Sequence, residues 1–235
     1  MGCLLVLGMH RSGTSAVTSA LAHLGLSVGE PSELHPADAG NPSRYWEPSE
    51  LIEINDALLA SWGGAQRDPQ LARRPASTHA LPTALVDRMS EYAKRWDSQG
   101  PFVWKDPRLC ITLPLWRPVL PVRGFVLVAR NPVAVADSLG ARDRMNRRTG
   151  LVLWEAYVRS LLAALDDTPR LVIRYEDLLE RGESAVEQLA EFCERTIGGV
   201  TGDRDAALRQ IGRRAVGTLD ESAISSTQRD LYRRL

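Results

Sequence analysis

Four short apolar runs set the pattern of this sequence. Cys3–Leu7 is apolar throughout, and similar runs follow at 101–104, 124–129 and 171–173. Runs of this length, bounded by glycine, proline or charged residues, are typical of strands that are buried on both faces of a parallel sheet. Amphipathic stretches separate the runs, so strands alternate with helices. The pattern predicts an α/β fold with three layers, α/β/α, around a central and mostly parallel sheet.

Apolar residues at helical spacing predict the helices between these strands. The helices are expected at 16–24, 51–59, 85–96, 133–139, 151–165 and 187–193. A chain of 235 residues is expected to form one domain, over 1–235, that needs neither disulfides nor a metal for stability. The part that follows Gly198 carries no clear pattern.

The charges balance, with 29 basic and 29 acidic residues. No global excess attracts the protein to nucleic acid or to an anionic membrane, so any anion site must be local. The three cysteines are widely spaced and odd in number, which indicates reduced thiols in a cytoplasmic protein. The apolar run Cys3–Leu7 is too short for a signal segment or a membrane span, and neither is expected.

A loop rich in glycine and hydroxyl residues follows the first predicted strand and opens the first helix. The loop is Gly8-Met9-His10-Arg11-Ser12-Gly13-Thr14-Ser15. Its spacing fits a nucleoside-triphosphate P-loop, except that Thr14 occupies the position of the lysine. Backbone N–H groups and the helix N-terminus favour an anion at such a loop, and Arg11 supplies a cation from within it. The alternative is an ordinary tight turn between a strand and a helix.

A second candidate anion site follows the apolar run at 124–129. Arg130 lies at the carboxyl end of this predicted strand, where open α/β sheets bind ligands, and Ser138 lies eight residues later on the next helix. An arginine fork and a hydroxyl are suitable donors to a phosphate. A surface or helix-capping arginine is the alternative.

Together the two segments resemble the phosphate-binding signatures of sulfotransferases that use 3′-phosphoadenosine 5′-phosphosulfate (PAPS), including bacterial members. The resemblance covers roughly residues 3–195. It implies that the first loop binds the 5′-phosphosulfate and that the second segment binds the 3′-phosphate. The implied donor-binding residues are His10, Arg11, Ser12, Gly13, Thr14, Ser15, Arg130 and Ser138. The basic C-terminal loop of cytosolic members is not evident, and Arg213-Arg214 is a candidate replacement.

The resemblance implies transfer of a sulfuryl group from PAPS to an acceptor hydroxyl or amine, with adenosine 3′,5′-bisphosphate (PAP) as the product. Such an in-line transfer needs aligned substrates and stabilised charge on the leaving oxygen. Arg11 and Lys105 are the candidates for that stabilisation. The alternative for Lys105 is an ion pair with Asp106 or with another nearby acid. No metal is expected, because the basic residues supply the charge and no metal-ligand spacing appears.

The transfer also needs a base that takes the acceptor's proton. Glu47, within Tyr45-Trp46-Glu47-Pro48, is the candidate, because partial burial of this loop would raise the pKa of its carboxyl group. Capping of the next helix is an equally open alternative for Glu47. Glu50 and Glu53 on that helix compete for the role, and His35 is a further candidate.

Two irregular segments, 26–50 and 63–84, are rich in proline and glycine and are expected to line the acceptor pocket. Trp46, Trp62 and Trp104 either stack on an acceptor ring there or pack in the core. The expected acceptor is a small molecule, a glycan or a natural product. Two other functions stay open: a P-loop kinase of a small metabolite, against which Thr14 argues, and a non-catalytic nucleotide-binding protein.

Overall fold

A four-stranded sheet forms the centre of the protein, for which a computed structural model describes residues 2–38, 45–70, 81–211 and 221–235. The strand order is β2-β1-β3-β4, and every pairing is parallel. The strands are β1 (Cys3–Leu7), β2 (Phe102–Lys105), β3 (Val122–Ala129) and β4 (Arg170–Arg174). Each strand lies where an apolar run predicts it, and the predicted α/β class is confirmed.

Helices flank the sheet and include the six that the sequence predicts. In the described part of the chain they are α1 (Thr14–His23), α2 (Ser49–Ser61), α3 (Thr83–Asp97), α4 (Leu109–Trp116), α5 (Pro132–Asp143), α6 (Arg147–Ala164), α7 (Tyr175–Glu180), α8 (Gly182–Ile197), α9 (Arg204–Gln210) and α10 (Ser226–Arg234). Among them, none is long and apolar enough to cross a membrane.

The sheet separates two apolar cores, because neighbouring residues of a strand point to opposite faces. In β1, Leu5 and Leu7 face a core that contains residues of α2 to α6 and of α10. Leu4 and Val6 face a second core, formed with α1, α7, α8 and α9. The predicted three-layer arrangement therefore follows from strands that carry apolar residues on both faces.

The strand order determines which side chains meet at the carboxyl edge of the sheet. The loop after β1 lies between the ends of β2 and β3, because β1 pairs with both strands. Lys105 ends β2 and Arg130 follows β3, so these two cations flank the loop. The neighbouring strand β4 is followed by Tyr175. A candidate site at this edge therefore receives residues from all four strand ends.

Candidate active site

A cavity of about 890 Å³ lies at the carboxyl edge of the sheet. Its volume is near the upper end of the range for small-molecule sites. Eight of the ten predicted donor-binding and catalytic residues line it: His10, Arg11, Gly13, Thr14, Ser15, Glu47, Lys105 and Arg130. Ser12 and Ser138 lie outside the lining, and Arg213-Arg214 lies outside the described residues.

Two residues of the glycine-rich loop have left-handed backbone conformations. Arg11 has φ of 68° and Gly13 has φ of 95°. The Ser12 N–H donates to the carbonyl of Met9 at 3.1 Å, which closes the turn before α1. No side chain caps the first turn of α1 through a described hydrogen bond. The backbone N–H groups at this helix end are thus presented to the cavity, as an anion site requires.

The two candidate phosphate motifs touch each other directly. Arg11 Nε donates to Ser138 Oγ at 2.9 Å, and Arg130 Nη1 donates to the Arg11 carbonyl at 2.6 Å. Ser138 therefore meets the first motif through the side chain of Arg11. The contacts bring an arginine from each motif together at the cavity.

Tyr175 completes this wall, although sequence reasoning did not include it among the site residues. Its ring lies against Gly13 and under the guanidinium of Arg130, whose Cζ is 4.3 Å from the ring centroid. Such stacking is a cation–π contact and orients the arginine fork. The sequence indicates Tyr175 only by its position directly after a strand. Arg130 has the same kind of position after another strand.

Gly13→Ala is expected to destabilise the protein. A Cβ at this position would lie 2.2 Å from Tyr175 Cδ2, and the positive φ adds backbone strain. Gly100→Ala is the matched control, because Gly100 has φ of 117° but nothing lies within 4 Å of its added Cβ. Denaturant unfolding should show that G13A loses about 1–3 kcal/mol more than G100A. Equal losses would contradict the contact with Tyr175.

Lys105 and Glu47 form a buried ion pair beside the glycine-rich loop. Lys105 Nζ donates to Glu47 Oε1 at 2.5 Å and to Ser15 Oγ at 3.3 Å. The exposed fractions of Lys105 and Glu47 are 1% and 7%. Ser15 Oγ in turn donates to the carbonyl of Tyr45 at 3.2 Å, two residues before Glu47. The candidate cation, base and anion loop therefore form one hydrogen-bonded group.

Glu47 does not cap the helix that follows it. α2 begins at Ser49 with Pro48 as its N-cap, and no side-chain capping hydrogen bond is present there. Burial raises the pKa of the Glu47 carboxyl group, while the charge of Lys105 opposes the shift. The rival acids on α2, Glu50 and Glu53, pair with arginines of α3 and do not line the cavity.

Lys105 does not pair with Asp106, but its ion pair with Glu47 is the other form of the alternative, a pair with another nearby acid. Asp106 accepts hydrogen bonds from Asn55 Nδ2 at 2.8 Å and from Arg108 Nη1 at 2.9 Å. Arg108 Nε also donates to Asp56 at 2.6 Å. This buried network holds the turn after β2, so the backbone next to Lys105 is fixed by groups other than Lys105 itself.

Positive charge predominates in the cavity wall. The described lining contains seven basic side chains, Arg11, Arg67, Lys105, Arg108, Arg130, Arg142 and Arg209, and four acidic ones, Asp38, Glu47, Asp56 and Asp143. Burial lowers the pKa of Arg11, and the nearby positive charges of Arg142 and Arg130 contribute to the shift. An anionic ligand would relieve this repulsion. Among the described residues, no cluster of three or more potential metal ligands is present.

The two predicted loop segments also contribute to the lining of the cavity. His35, Asp38, Tyr45 and Trp46 come from segment 26–50, and Gln66 and Arg67 come from segment 63–84. Residues 39–44 and 71–80 of these segments lie outside the described part. Trp46 lines the cavity, whereas Trp62 and Trp104 are buried in the core. Of the three tryptophans, only Trp46 is therefore placed to stack on a ligand.

Four further lining residues are not among the predicted site residues. Arg142 and Asp143 form an ion pair at the end of α5, with Arg142 Nη2 2.8 Å from Asp143 Oδ2. Arg209 and Gln210 reach the cavity from the end of α9. Arg142 and Asp143 follow Ser138 on α5, whereas Arg209 and Gln210 lie far along the chain from both motifs, so only the fold brings those two to the site.

Comparisons with known proteins identify the family and the fold of the chain. A sequence model of the sulfotransferase family matches residues 4–197. The sulfotransferase domain from the Synechococcus PCC 7002 olefin synthase superposes with a TM-score of 0.55 at 18% identity, covering 100% of this chain and 94% of that chain. Sulfotransferase STF9 from Mycobacterium avium superposes with a TM-score of 0.56 at 15% identity, covering 98% of this chain and 75% of that one. No curated protein sequence matches the chain. At these identities the solved structures support the fold alone.

Proposed function

Because the chain belongs to the sulfotransferase family, we propose that it transfers a sulfuryl group from PAPS to a hydroxyl or amine of an acceptor, leaving PAP. The observation that carries the proposal is the direct contact of two anion-binding motifs at one cavity. Arg130 Nη1 donates to the Arg11 carbonyl, and Arg11 Nε donates to Ser138. A donor with phosphate groups at both its 5′ and 3′ positions would engage both motifs at once.

The donor's 5′-phosphosulfate is assigned to the loop that opens α1. Gly13, Thr14 and Ser15 line the cavity and supply backbone N–H groups and hydroxyls at a helix N-terminus, where negative charge is stabilised. The 3′-phosphate is assigned to Arg130 with Ser138. Arg130 lines the cavity and is oriented by Tyr175, so its fork can meet two phosphate oxygens.

The chemistry is assigned to Arg11, Lys105 and Glu47. Arg11 and Lys105 stabilise the charge that develops on the leaving oxygen, which requires preorganised donors in a site with little water. Glu47 accepts the proton of the acceptor's nucleophile, which a carboxylate can do only while it is ionised. The ion pair with Lys105 favours that ionised form.

The acceptor is a small molecule, a glycan or a natural product that enters between the two loop segments. Gln66, Arg67, His35 and Trp46 present polar and aromatic groups to it. The balanced total charge gives no attraction to nucleic acid. The three cysteines are buried thiols, which fits a place in the reducing cytoplasm.

The test is a comparison of nucleotide affinities. Calorimetry should show that PAP binds far more tightly than AMP, because AMP lacks the 3′-phosphate. Arg130→Ala should remove this preference, with a loss of about 1.5–3 kcal/mol for PAP and little change for AMP.

Arg174→Ala is the matched control for that variant. Arg174 also ends a strand and stacks on a tyrosine, with its Cζ 5.5 Å from the Tyr232 centroid, but it does not line the cavity. R174A should keep the full preference for PAP. Equal affinity of the wild-type protein for PAP and AMP would overturn the assignment of the 3′-phosphate.

A further inference from the structure

His10 faces the cavity with one ring nitrogen fixed by a hydrogen-bonded chain. Its Nε2 lies 3.1 Å from the hydroxyl of Tyr157, and that hydroxyl donates to the backbone carbonyl of Gln66 at 2.5 Å. Tyr157 is fully buried, whereas His10 is half-buried and lines the cavity. Gln66 belongs to the loop proposed to contact the acceptor.

The hydrogen bonds from His10 through Tyr157 to Gln66 determine the tautomer of His10. A carbonyl oxygen only accepts, so the single hydroxyl proton of Tyr157 goes to Gln66. Burial raises the pKa of Tyr157 well above its usual value, so the hydroxyl keeps that proton. The Tyr157 oxygen can then only accept from His10, and Nε2 of His10 must carry a hydrogen. Any lone pair on the ring is therefore on Nδ1.

Several charged groups act on the His10 ring. Burial, together with the positive charge of Arg108, lowers the pKa of His10 to about 3, so the ring is neutral at physiological pH. Arg142 and Arg67 shift it in the same direction, and Asp106 opposes them. No described residue forms a hydrogen bond with Nδ1. Within the described part of the chain, Nδ1 is therefore a neutral acceptor without a hydrogen-bond partner, in a cavity where basic side chains predominate.

We propose that Nδ1 of His10 accepts a hydrogen bond from the nucleophilic hydroxyl or amine of the acceptor and orients it for transfer. The proposal rests on the proposed function and deepens it. It assigns to His10 a role toward the acceptor in place of the donor role that its position in the loop suggests. A phosphosulfate offers only oxygen acceptors, so it cannot pair with the lone pair on Nδ1, whereas a hydroxyl or amine can.

The position of His10 supports contact with the acceptor. His10 and Glu47 both line the cavity, as does Arg108. An acceptor held by Nδ1 would therefore lie in the same cavity as the proposed base. His10 orients the nucleophile, and Glu47 receives its proton.

Two substitutions test the roles of the two ring nitrogens of His10 separately. In His10→Gln the side-chain amide nitrogen overlays Nε2, so the contact with Tyr157 can persist while the acceptor at Nδ1 is lost. In His10→Asn the amide oxygen overlays Nδ1, so an acceptor remains while the contact with Tyr157 is lost. H10Q should lower kcat/KM for the acceptor about tenfold, as loss of one hydrogen bond predicts. H10N should lose less, and calorimetric PAP affinity should be nearly unchanged in both.

The decisive experiment does not depend on turnover. Protein labelled with ¹⁵N at histidine is saturated with PAP and titrated with phenol, with glucose and with anisole, and H10Q identifies the His10 signals. At neutral pH His10 should show a protonated Nε2 and a bare Nδ1. Its Nδ1 signal should shift with phenol or glucose but not with anisole, which has no hydroxyl to donate.

The outcomes are distinct from those of the proposed function. A protonated Nδ1, a shift of the Nδ1 signal on addition of PAP alone, or no response to either hydroxyl compound would overturn the role of His10. Greater loss of kcat/KM in H10N than in H10Q would do the same. Absence of sulfuryl transfer in the wild-type protein would reject the proposed function, while the titration would still decide whether Nδ1 binds a hydroxyl group.

Discussion

Glu47→Gln is expected to lower the turnover rate by about 10²–10⁴-fold, the usual contribution of a general base, with PAP affinity nearly unchanged. Gln preserves the shape of the side chain but cannot take a proton. It also leaves the buried ammonium of Lys105 with a neutral partner. Breaking a buried ion pair is costly, so the free energy of unfolding should fall by up to about 3 kcal/mol.

The pH profile separates a loss of base from a loss of stability. Burial raises the pKa of Glu47, and a base works only in its ionised form. Wild-type turnover should therefore fall as the pH decreases through this raised pKa, and E47Q should lack that acidic limb. Glu50→Gln is the control, because Glu50 is on the next helix and pairs with Arg95 outside the cavity. If E47Q turned over at the wild-type rate, the base would be another group, such as His35.

Lys105→Met is expected to lower turnover by about 10²–10³-fold, the loss typical for removal of one group that stabilises developing charge. PAP lacks the sulfuryl group, so its affinity should change little. Lys94→Met is the control, since Lys94 is an exposed lysine in the last turn of α3. Turnover of K105M close to that of the wild type would leave Lys105 as a structural partner of Glu47.

The double variant E47Q/K105M shows whether Lys105 acts only through Glu47. If Lys105 merely holds the carboxylate, the double variant should turn over no more slowly than E47Q. If Lys105 acts on the leaving oxygen, as proposed, the two losses should multiply. Steady-state rates at saturating PAPS and acceptor measure the difference.

The strands of this fold are predictable because each is apolar on both faces. Cys3–Leu7 has no polar residue, and its alternate side chains enter the two cores. The helix α4 is not predictable in the same way. It is apolar almost throughout and contains Pro114, so it lacks both an amphipathic pattern and an uninterrupted helical signal. Helices α7, α9 and α10 are short, and a few residues give little periodicity.

The candidate site is predictable as far as its residues follow strands or belong to known motifs. Arg11, Lys105 and Arg130 satisfy that condition, and the strand order then brings them together. The pairing of Lys105 with Glu47 is different, because it spans 58 residues and depends on how the loop before α2 folds back. The stacking of Tyr175 beneath Arg130 likewise depends on β4 lying beside β3.

The most direct test of the central claim is transfer of a labelled sulfuryl group from PAPS to a panel of phenols, sugars and amines. The account predicts a labelled product and stoichiometric PAP, without added magnesium and with strongly reduced rates in E47Q and K105M. Tight PAP binding without transfer to any acceptor would contradict it and favour a nucleotide-binding protein without catalysis. Magnesium-dependent phosphoryl transfer from ATP to the same panel would contradict it in favour of a kinase.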